Sequence, residues 1–252
     1  MAKPLPKFRR LDPAEIVDTV ATLHRRIENR FPSSGLGKVV SELLDVAKET
    51  ATTADWIQQP NIPLRASAIA LSVAIIGLLL LLLANIRQFR MDDFTNSVQA
   101  LDASISSVVF ISAAILFLLS CETRIKRSRA LRAIHELRSL AHIIDMHQLT
   151  KDPEAYFGPG PHSRRNRQMT PFQLNRYLDY CAESLALISK VAALYVQGFQ
   201  DAALMDAVDD VEDLTAGLSG KIWQKLTILE RFGRSMAEAG VLPERTDADR
   251  GP

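Results

Sequence analysis

The sequence predicts an all-α protein in which a two-span transmembrane helical hairpin is joined to a cytoplasmic multi-helix bundle. Two long uncharged runs, at residues 66–86 and 103–121, predict the spans, because each is long enough to cross a bilayer. Apolar residues that recur at steps of three and four predict amphipathic helices in the polar flanks. The formal net charge of +1 hides this division, since the flanks dilute both apolar segments.

The hairpin is expected within residues 63–121, with spans at about 66–86 and 101–121. The first run covers about 31 Å at roughly 1.5 Å per residue, which matches the thickness of a hydrocarbon core. A fully buried helix of a soluble protein is the alternative, but 252 residues give no core large enough to surround such a helix. The second run is richer in serine, and the link between the two runs is too short to fold independently.

Positive charges predict the orientation of the hairpin. Five cations follow the second span directly, namely Arg124, Lys126, Arg127, Arg129 and Arg132. Because such clusters stay on the cytoplasmic side, both termini of this multi-pass protein are expected in the cytoplasm. The same five side chains are expected to contact anionic lipid headgroups. The composition suggests a bacterial cell inner membrane, and the absence of an apolar stretch before the first span predicts that no cleavable signal peptide is present.

Residues 1–62 are expected to form two cytoplasmic helices. The first begins at Pro13, with Asp12 as N-cap and Glu15 completing a capping box. Its apolar stripe consists of Ile16, Val20, Leu23 and Ile27. The second helix follows the SSG turn and buries Leu36, Val40, Leu43, Ala47 and Ala51. The entry into the membrane is marked by Trp56, Pro60 and Pro63.

Residues 122–239 are expected to complete the bundle. The helical pattern of the second span continues without Gly or Pro, which predicts one helix of roughly 50 residues, half in lipid and half in the cytoplasm. A loop at 151–170, rich in Pro, Gly and Arg, ends this helix. The last helix is expected from about Asp201 to Phe232, and the tail at 240–252 is expected to be disordered.

The helix that follows the loop has the clearest periodicity in the chain. Thr170 and Gln173 predict a capping box at its start. Its heptad-spaced apolar positions are Leu174, Leu178, Cys181, Leu185, Ile188, Ala192, Tyr195 and Phe199. A second apolar row beside them predicts two neighbouring helices within an intramolecular bundle. Self-association as a coiled coil through the same seam, which would give a homo-oligomer, is the alternative.

Three residues after the second span are the best metal candidates. His135 and His142 lie on one face of the predicted helix, and Asp145 is one turn further along. The two histidines, however, are about 10 Å apart along the axis, which is too far to share one ion without a partner helix. We therefore predict no metal site and no cofactor.

Asp102 and Ser106 are candidate pore-facing residues. If several hairpins assembled, a ring of Asp102 carboxylates could attract cations into a serine-bearing pore. An aspartate at the headgroup level, near the positive end of a helix, is the favoured interpretation.

Small residues suggest close helix contacts at two places. In the first span the small face consists of Ala66, Ala70, Ala74 and Gly77, and it could close the hairpin. Gly217 and Gly220 could permit close approach or a kink in the last helix.

The sequence contains no nucleophile elbow, phosphate-binding glycine loop, HExxH or paired CxxC motif, so we predict a non-enzymatic protein. Its basic stretches lack the aromatic platform that would favour nucleic acid as a partner. Cys121 and Cys181 are expected to be reduced thiols. The predicted function is a scaffold, sensor or interaction module at the cytoplasmic face, with an unknown protein partner. An oligomeric ion channel or pore-forming effector, gated by the cytoplasmic helices, is the alternative.

Overall fold

The computed structural model describes residues 10–58, 62–86, 94–151 and 169–238. Six helices account for nearly all of these residues: α1 (Pro13–Arg30), α2 (Gly35–Gln58), α3 (Ile62–Ile86), α4 (Phe94–Leu149), α5 (Pro171–Val196) and α6 (Ala202–Glu238). The described ranges contain no β-strand, so the all-α prediction is confirmed.

The chain divides into two compact units. The bundle unit comprises Met1–Asp55 and Leu131–Pro252, and the apolar unit comprises Trp56–Ala130. Three parts of the expected domain layout lie outside the described residues: the link at 87–93, the loop at 152–168 and the tail at 240–252.

Helix α1 begins at Pro13, where the sequence predicts. Asp12 is its N-cap, and the Asp12 carboxylate accepts a hydrogen bond from the backbone N–H of Ala14 at 2.9 Å. The expected capping box would instead use the N–H of Glu15, so that detail of the prediction is wrong. All four residues of the expected apolar stripe are buried: Ile16, Val20, Leu23 and Ile27.

A tight turn connects α1 to α2. Ser33 has a φ of 57°, in the left-handed region that residues with a Cβ rarely adopt. Its N–H donates to the Glu28 carboxylate at 3.3 Å. Ser34 then caps α2, because its Oγ accepts a hydrogen bond from the N–H of Gly37 at 3.0 Å. Polar contacts on both sides of the turn fix the direction in which α2 leaves.

Helix α4 is continuous over 56 residues, from Phe94 to Leu149, and it contributes to both units. The expected continuity of the second uncharged run with the helix after it is therefore confirmed, and no break occurs near Glu122. In the bundle unit this helix buries Ile134, Leu137, Leu140, Ala141 and Ile144. Its end is joined to α6, since the Lys225 ammonium donates to the backbone carbonyl of Gln148 at 2.8 Å.

Helix α5 lies at the centre of the bundle unit. Its capping box is complete, with Thr170 and Gln173 each accepting from the other's backbone N–H. Both of its apolar rows are buried: Leu174, Tyr177, Leu178, Cys181, Ser184, Leu185, Leu187, Ile188, Val191, Ala192, Leu194 and Tyr195. It packs against α1 and α6 and also reaches α2, where the Tyr195 hydroxyl lies 3.2 Å from Thr50 Oγ1. The helix ends before Phe199, and its seam is used within the chain.

Helix α6 covers one side of the bundle unit. Asp201 caps it by accepting a hydrogen bond from the N–H of Leu204 at 3.2 Å. Its apolar pattern predicts eight inward residues, of which Leu214 is half-buried and the other seven are buried: Leu204, Val208, Val211, Leu218, Ile222, Leu226 and Leu229. The helix continues past Phe232 to Glu238, further than expected. A Cβ added at Gly217 or Gly220 would meet nothing within 4 Å, so within the described part of one chain these glycines make no close helix contact.

An aromatic cluster connects the α1–α2 turn to α5. The ring of Phe31 makes edge contacts with the rings of Tyr177 and Tyr180, at centroid distances of 5.5 and 6.3 Å. The Arg26 guanidinium lies over the Tyr180 ring and also pairs with Glu183 at 3.0 Å. These contacts hold the N-terminal helices against the C-terminal ones.

Candidate membrane-facing surface

The apolar unit exposes side chains that a protein in water would bury. On α4, Val109, Phe110 and Phe117 have 61%, 76% and 64% of their surface exposed. The same helix also exposes Ile105, Val108 and Leu116. Apolar surface costs about 25 cal/mol per Å² in water, and soluble monomers rarely expose large contiguous patches of it. This surface suits a hydrocarbon environment.

Helix α3 shows the same behaviour. Its exposed large apolar residues are Ile69, Leu71, Val73, Ile76 and Leu80. The small face is exposed as well, at Ala66, Ala70, Ala74 and Gly77. Because a Cβ added at Gly77 would meet nothing within 4 Å, this face does not make the close helix contact that was expected of it.

By length and composition, one helix in the described part of the chain could cross a membrane. It is the stretch Ile105–Leu149 of α4, and only 6% of its most apolar window is buried. The core helix of a soluble protein can pass the same test, but such a helix is mostly buried.

The candidate pore residues lie on the exposed surface of α4. Asp102 and Ser106 are exposed, as are Val109 and Ala113 on the same face. The expectation that Asp102 lies near the positive end of a helix is wrong, because α4 begins at Phe94, two turns earlier. A ring of such carboxylates would need several copies of the chain and stays a prediction.

Four of the five cations expected at the lipid headgroups have solvent access. Arg124, Arg129 and Arg132 are exposed, and Arg127 is half-buried. Lys126 differs, since it is buried and its ammonium lies 2.8 Å from the Glu122 carboxylate one turn earlier. Burying one charge without its partner would be costly, and the pair offsets part of that cost. We therefore leave Lys126 out of the lipid-facing set.

The metal candidates do not assemble into a site. His135 and His142 are exposed, and Asp145 accepts a hydrogen bond from the Gln148 amide. Among the described residues, no group of three His, Cys, Asp or Glu side chains could hold a metal ion. His147 instead packs at the start of α2, where a Cβ on Gly35 would collide with its ring.

Two shallow grooves mark the bundle unit. One, of about 450 Å³, lies between α1 and α5 and is bridged by the ion pair of Arg26 with Glu183. The other, of about 430 Å³, lies between α2 and α4 beside His135 and Ser139. The Ser139 hydroxyl donates to the backbone carbonyl of His135 at 2.9 Å, which is the ordinary bond of a helical serine rather than of an activated nucleophile.

Burial keeps the ionisable cysteine and tyrosine side chains of α5 in their neutral, unreactive forms. Burial raises the pKa of the Cys181 thiol from 9.0 to about 12, with smaller opposing effects from Lys225 and Lys151. Burial likewise raises the pKa values of Tyr177 and Tyr195 above their ordinary value. Cys121 and Cys181 are both free cysteines. A buried neutral thiol with a high pKa is a packing residue and a poor nucleophile.

Several contacts escaped the sequence analysis because they join distant parts of the chain. The Gln197 side chain bonds both backbone groups of Leu11, accepting from its N–H at 2.7 Å and donating to its carbonyl at 3.0 Å. No periodicity or short motif signals such a clamp. The burial of Lys126 could have been suspected, since Glu122 stands four residues before it, the spacing of a helical ion pair.

Comparisons with known proteins give no relative for this chain: no family model, curated protein or solved structure matches it.

Proposed function

We propose that the chain is a non-enzymatic integral membrane protein, with α3 and α4 as a two-span hairpin and the bundle unit as a cytoplasmic interaction module. The observation that carries this proposal is the exposed apolar surface of the apolar unit. In the bundle unit, equally apolar residues such as Leu137 and Ile188 are fully buried. A chain that buries its leucines in one unit and exposes them in the other is best explained if water surrounds the first unit and lipid surrounds the second.

The length of α3 supports the second span. The helix extends over 25 residues, and Arg65 is its only charged side chain. Its length corresponds to about 37 Å at 1.5 Å per residue, enough to cross a hydrocarbon core with some tilt. Ile69, Val73, Ile76 and Leu80 form one exposed apolar stripe along the helix, and Leu71 is exposed on the opposite side. Apolar surface is therefore exposed on more than one side of α3, as lipid contact requires.

The exposed arginines of α4 support the proposed orientation. Arg124, Arg129 and Arg132 follow the apolar stretch within three turns, where cationic side chains favour the cytoplasmic leaflet. Each contributes about 1 kcal/mol near an anionic surface. In this orientation the bundle unit and both termini face the cytoplasm of a bacterial cell, and anionic phospholipids are the first partner of the protein.

The bundle unit supports a binding role rather than catalysis. Its grooves are open, its helix-capping residues are engaged in structural hydrogen bonds, and the thiol of Cys181 is buried and neutral. Exposed charges on helix faces can give a protein interface its specificity and its association rate when the partner carries complementary charges.

Cysteine labelling tests the proposed topology. In a chain carrying Cys121→Ser and Cys181→Ala, a single cysteine is placed by Ser97→Cys beside the link or by Glu212→Cys on the exposed face of α6. A membrane-impermeant maleimide added to intact cells should modify the first and spare the second until the inner membrane is permeabilised.

Alkaline extraction is the companion measurement. The protein should stay in the pellet at high pH, as an integral protein does. Equal labelling of both cysteines in intact cells would contradict the hairpin, and release of the unchanged chain into the supernatant would contradict membrane insertion itself.

A further inference from the structure

The outer face of α6 is charged in two opposite blocks. In its N-terminal half the exposed acids are Asp206, Asp209, Asp210, Glu212 and Asp213. In its C-terminal half the exposed cations are Lys221, Arg231 and Arg234, beside one exposed acid, Glu230. Between the blocks the surface is small and apolar, with Ala216, Gly217 and Gly220 exposed beside Trp223, whose side chain is 65% exposed. The inward stripe of the helix accounts for none of these residues.

We infer that this face binds the same face of a second copy of the chain, with the two α6 helices antiparallel and Gly220 at the centre. Asp209 and Arg231 lie equally far from Gly220 in opposite directions, and so do Asp206 and Arg234. An antiparallel pair therefore sets each aspartate level with an arginine of the other copy. Twofold symmetry repeats both pairings.

The central small residues let the two helices approach closely. Gly220 and Ala216 project little beyond the backbone, and no atom lies within 4 Å of a Cβ built at Gly217 or Gly220. Trp223 would pack beside Ala216 of the other copy and remove its ring from water. Exposed tryptophan with a flat neighbouring surface is typical of the centre of an interface, and surrounding charges are typical of its rim.

Charge selects the antiparallel arrangement over the parallel one. In a parallel pair the acids would face acids and the arginines would face arginines, which is repulsive in both charged blocks. A membrane surface is a poorer occupant, because the five acids of the N-terminal half would be repelled by anionic lipid. The alternative seam on α5 is not available, since it is buried within the chain.

This inference goes beyond the proposed membrane function and rests on the α6 surface alone. Its first test is the molar mass of the full chain in detergent, measured by light scattering over a range of concentrations. The unchanged chain should form a dimer. Asp206→Lys with Asp209→Lys should raise the dimer Kd by at least about tenfold, because four attractive pairs become repulsive. Arg231→Glu with Arg234→Glu should do the same.

Combining all four substitutions is the decisive variant. It reverses both blocks, restores opposite charges across the interface and should recover the dimer. Asp18→Lys with Glu42→Lys is the matched control, because it makes the same change in charge at exposed positions of α1 and α2 and should leave the dimer intact. A monomeric unchanged chain, or a combined variant that stays monomeric, would overturn the inference.

Cross-linking reports the direction of the pairing. In the chain with Cys121→Ser and Cys181→Ala, Gly220→Cys should form an intermolecular disulfide on mild oxidation, whereas Asp18→Cys should not. Efficient self-cross-linking of Asp209→Cys would indicate a parallel pair and contradict the proposal. Quenching of Trp223 by brominated lipid, in proteoliposomes of a Trp56→Phe variant, would assign the face to the bilayer and also overturn it. If the charge variants lose the dimer but still insert into the membrane, the dimer contact on α6 is independent of the transmembrane hairpin. The two proposals can therefore fail separately.

Discussion

Two stretches of α4 share one helical backbone but differ in how much of their apolar surface is exposed. From Ile105 to Phe117 the exposed large apolar side chains cover more than half of the helix circumference, with Ile111 and Ile115 half-buried, whereas from Ile134 to Ile144 such side chains form one buried stripe. Helix propensity cannot explain the contrast, because both stretches belong to one unbroken helix. The difference teaches that the angular distribution of apolar residues, and not their number, identifies the medium in which a helix is stable.

The largest expected effect is the loss of stability when a buried leucine of α4, rather than an exposed one, is truncated to alanine. Leu137→Ala removes a fully buried side chain and should destabilise the bundle unit by about 2–5 kcal/mol, through lost burial and a cavity. Leu116→Ala, at a side chain that is 65% exposed, is the matched control and should leave the bundle unit unchanged. Thermal unfolding of both variants is measured in detergent, with alkylation of the buried Cys181 thiol reporting the unfolded fraction. Equal losses of stability in the two variants would contradict the distinction between buried and exposed leucines on α4.

A lysine introduced into each half of α4 tests whether the two halves lie in different media. Val109 and Met146 are almost equally exposed, at 61% and 60%. Val109→Lys should oppose membrane insertion by about 2.5–3.5 kcal/mol near the centre of a bilayer. Met146→Lys should be almost neutral, because that side chain is in water. The amount of protein that resists alkaline extraction compares the two variants, and a tolerated Val109→Lys would argue against lipid at that position.

Alkaline pH should weaken the bundle unit and spare the apolar unit. The pKa of Cys181 is raised by burial from 9.0 to about 12, so the unfolded state loses its proton at a lower pH than the folded state. This contribution to stability is complete below about pH 9 and is lost as the pH rises through 12. At pH 10 the loss from this one thiol is on the order of 1 kcal/mol.

Cys181→Ala isolates the thiol contribution. In this variant the decline in unfolding temperature between pH 9 and pH 12 should be shallower, while the raised pKa values of Tyr177 and Tyr195 leave part of it in place. An identical pH profile for the variant and the unchanged chain would contradict a role of this thiol.

The smallest effect is expected from the ion pair between α1 and α5. Arg26 and Glu183 lie 3.0 Å apart, but both side chains are more than a third exposed. Glu183→Gln should therefore change the free energy of unfolding by at most about 0.2–1 kcal/mol, and less in high salt. Chemical unfolding at two salt concentrations measures it. A loss as large as that of Leu137→Ala would mean that charges, not apolar burial, hold the bundle unit together.

The helices and their inward faces could be predicted because their signals are local. The stripe from Ile16 to Ile27, the capping box of Thr170 and the continuity of α4 each depend on residues within a few turns. Asp102 was misplaced because α4 begins two turns earlier, in the polar stretch before the apolar run, where Asp93 directly precedes Phe94 and is a residue type that commonly caps helices. Helix ends of this kind cannot be located by periodicity alone.

The surfaces could be predicted only in part, because they depend on which elements meet. Lys126 counts as an exposed cation in sequence, and its burial depends on neighbours that periodicity does not place. Gly217 and Gly220 resemble a helix contact in sequence, yet they face outward because the inward stripe of α6 passes on the other side. The clamp of Gln197 on Leu11 joins residues almost two hundred positions apart.

The turn at Ser33 bears on how diverged versions of this chain can be recognised. A left-handed backbone costs a residue with a Cβ about 1–2 kcal/mol, so substitution there should be confined to Gly, Asn, Asp and Ser. The next position supplies a capping oxygen, and at the one after it a Cβ would collide with the His147 ring unless that ring moved. These three consecutive features form a short sequence pattern that should persist even when the exposed leucines of the apolar unit are exchanged for other apolar residues.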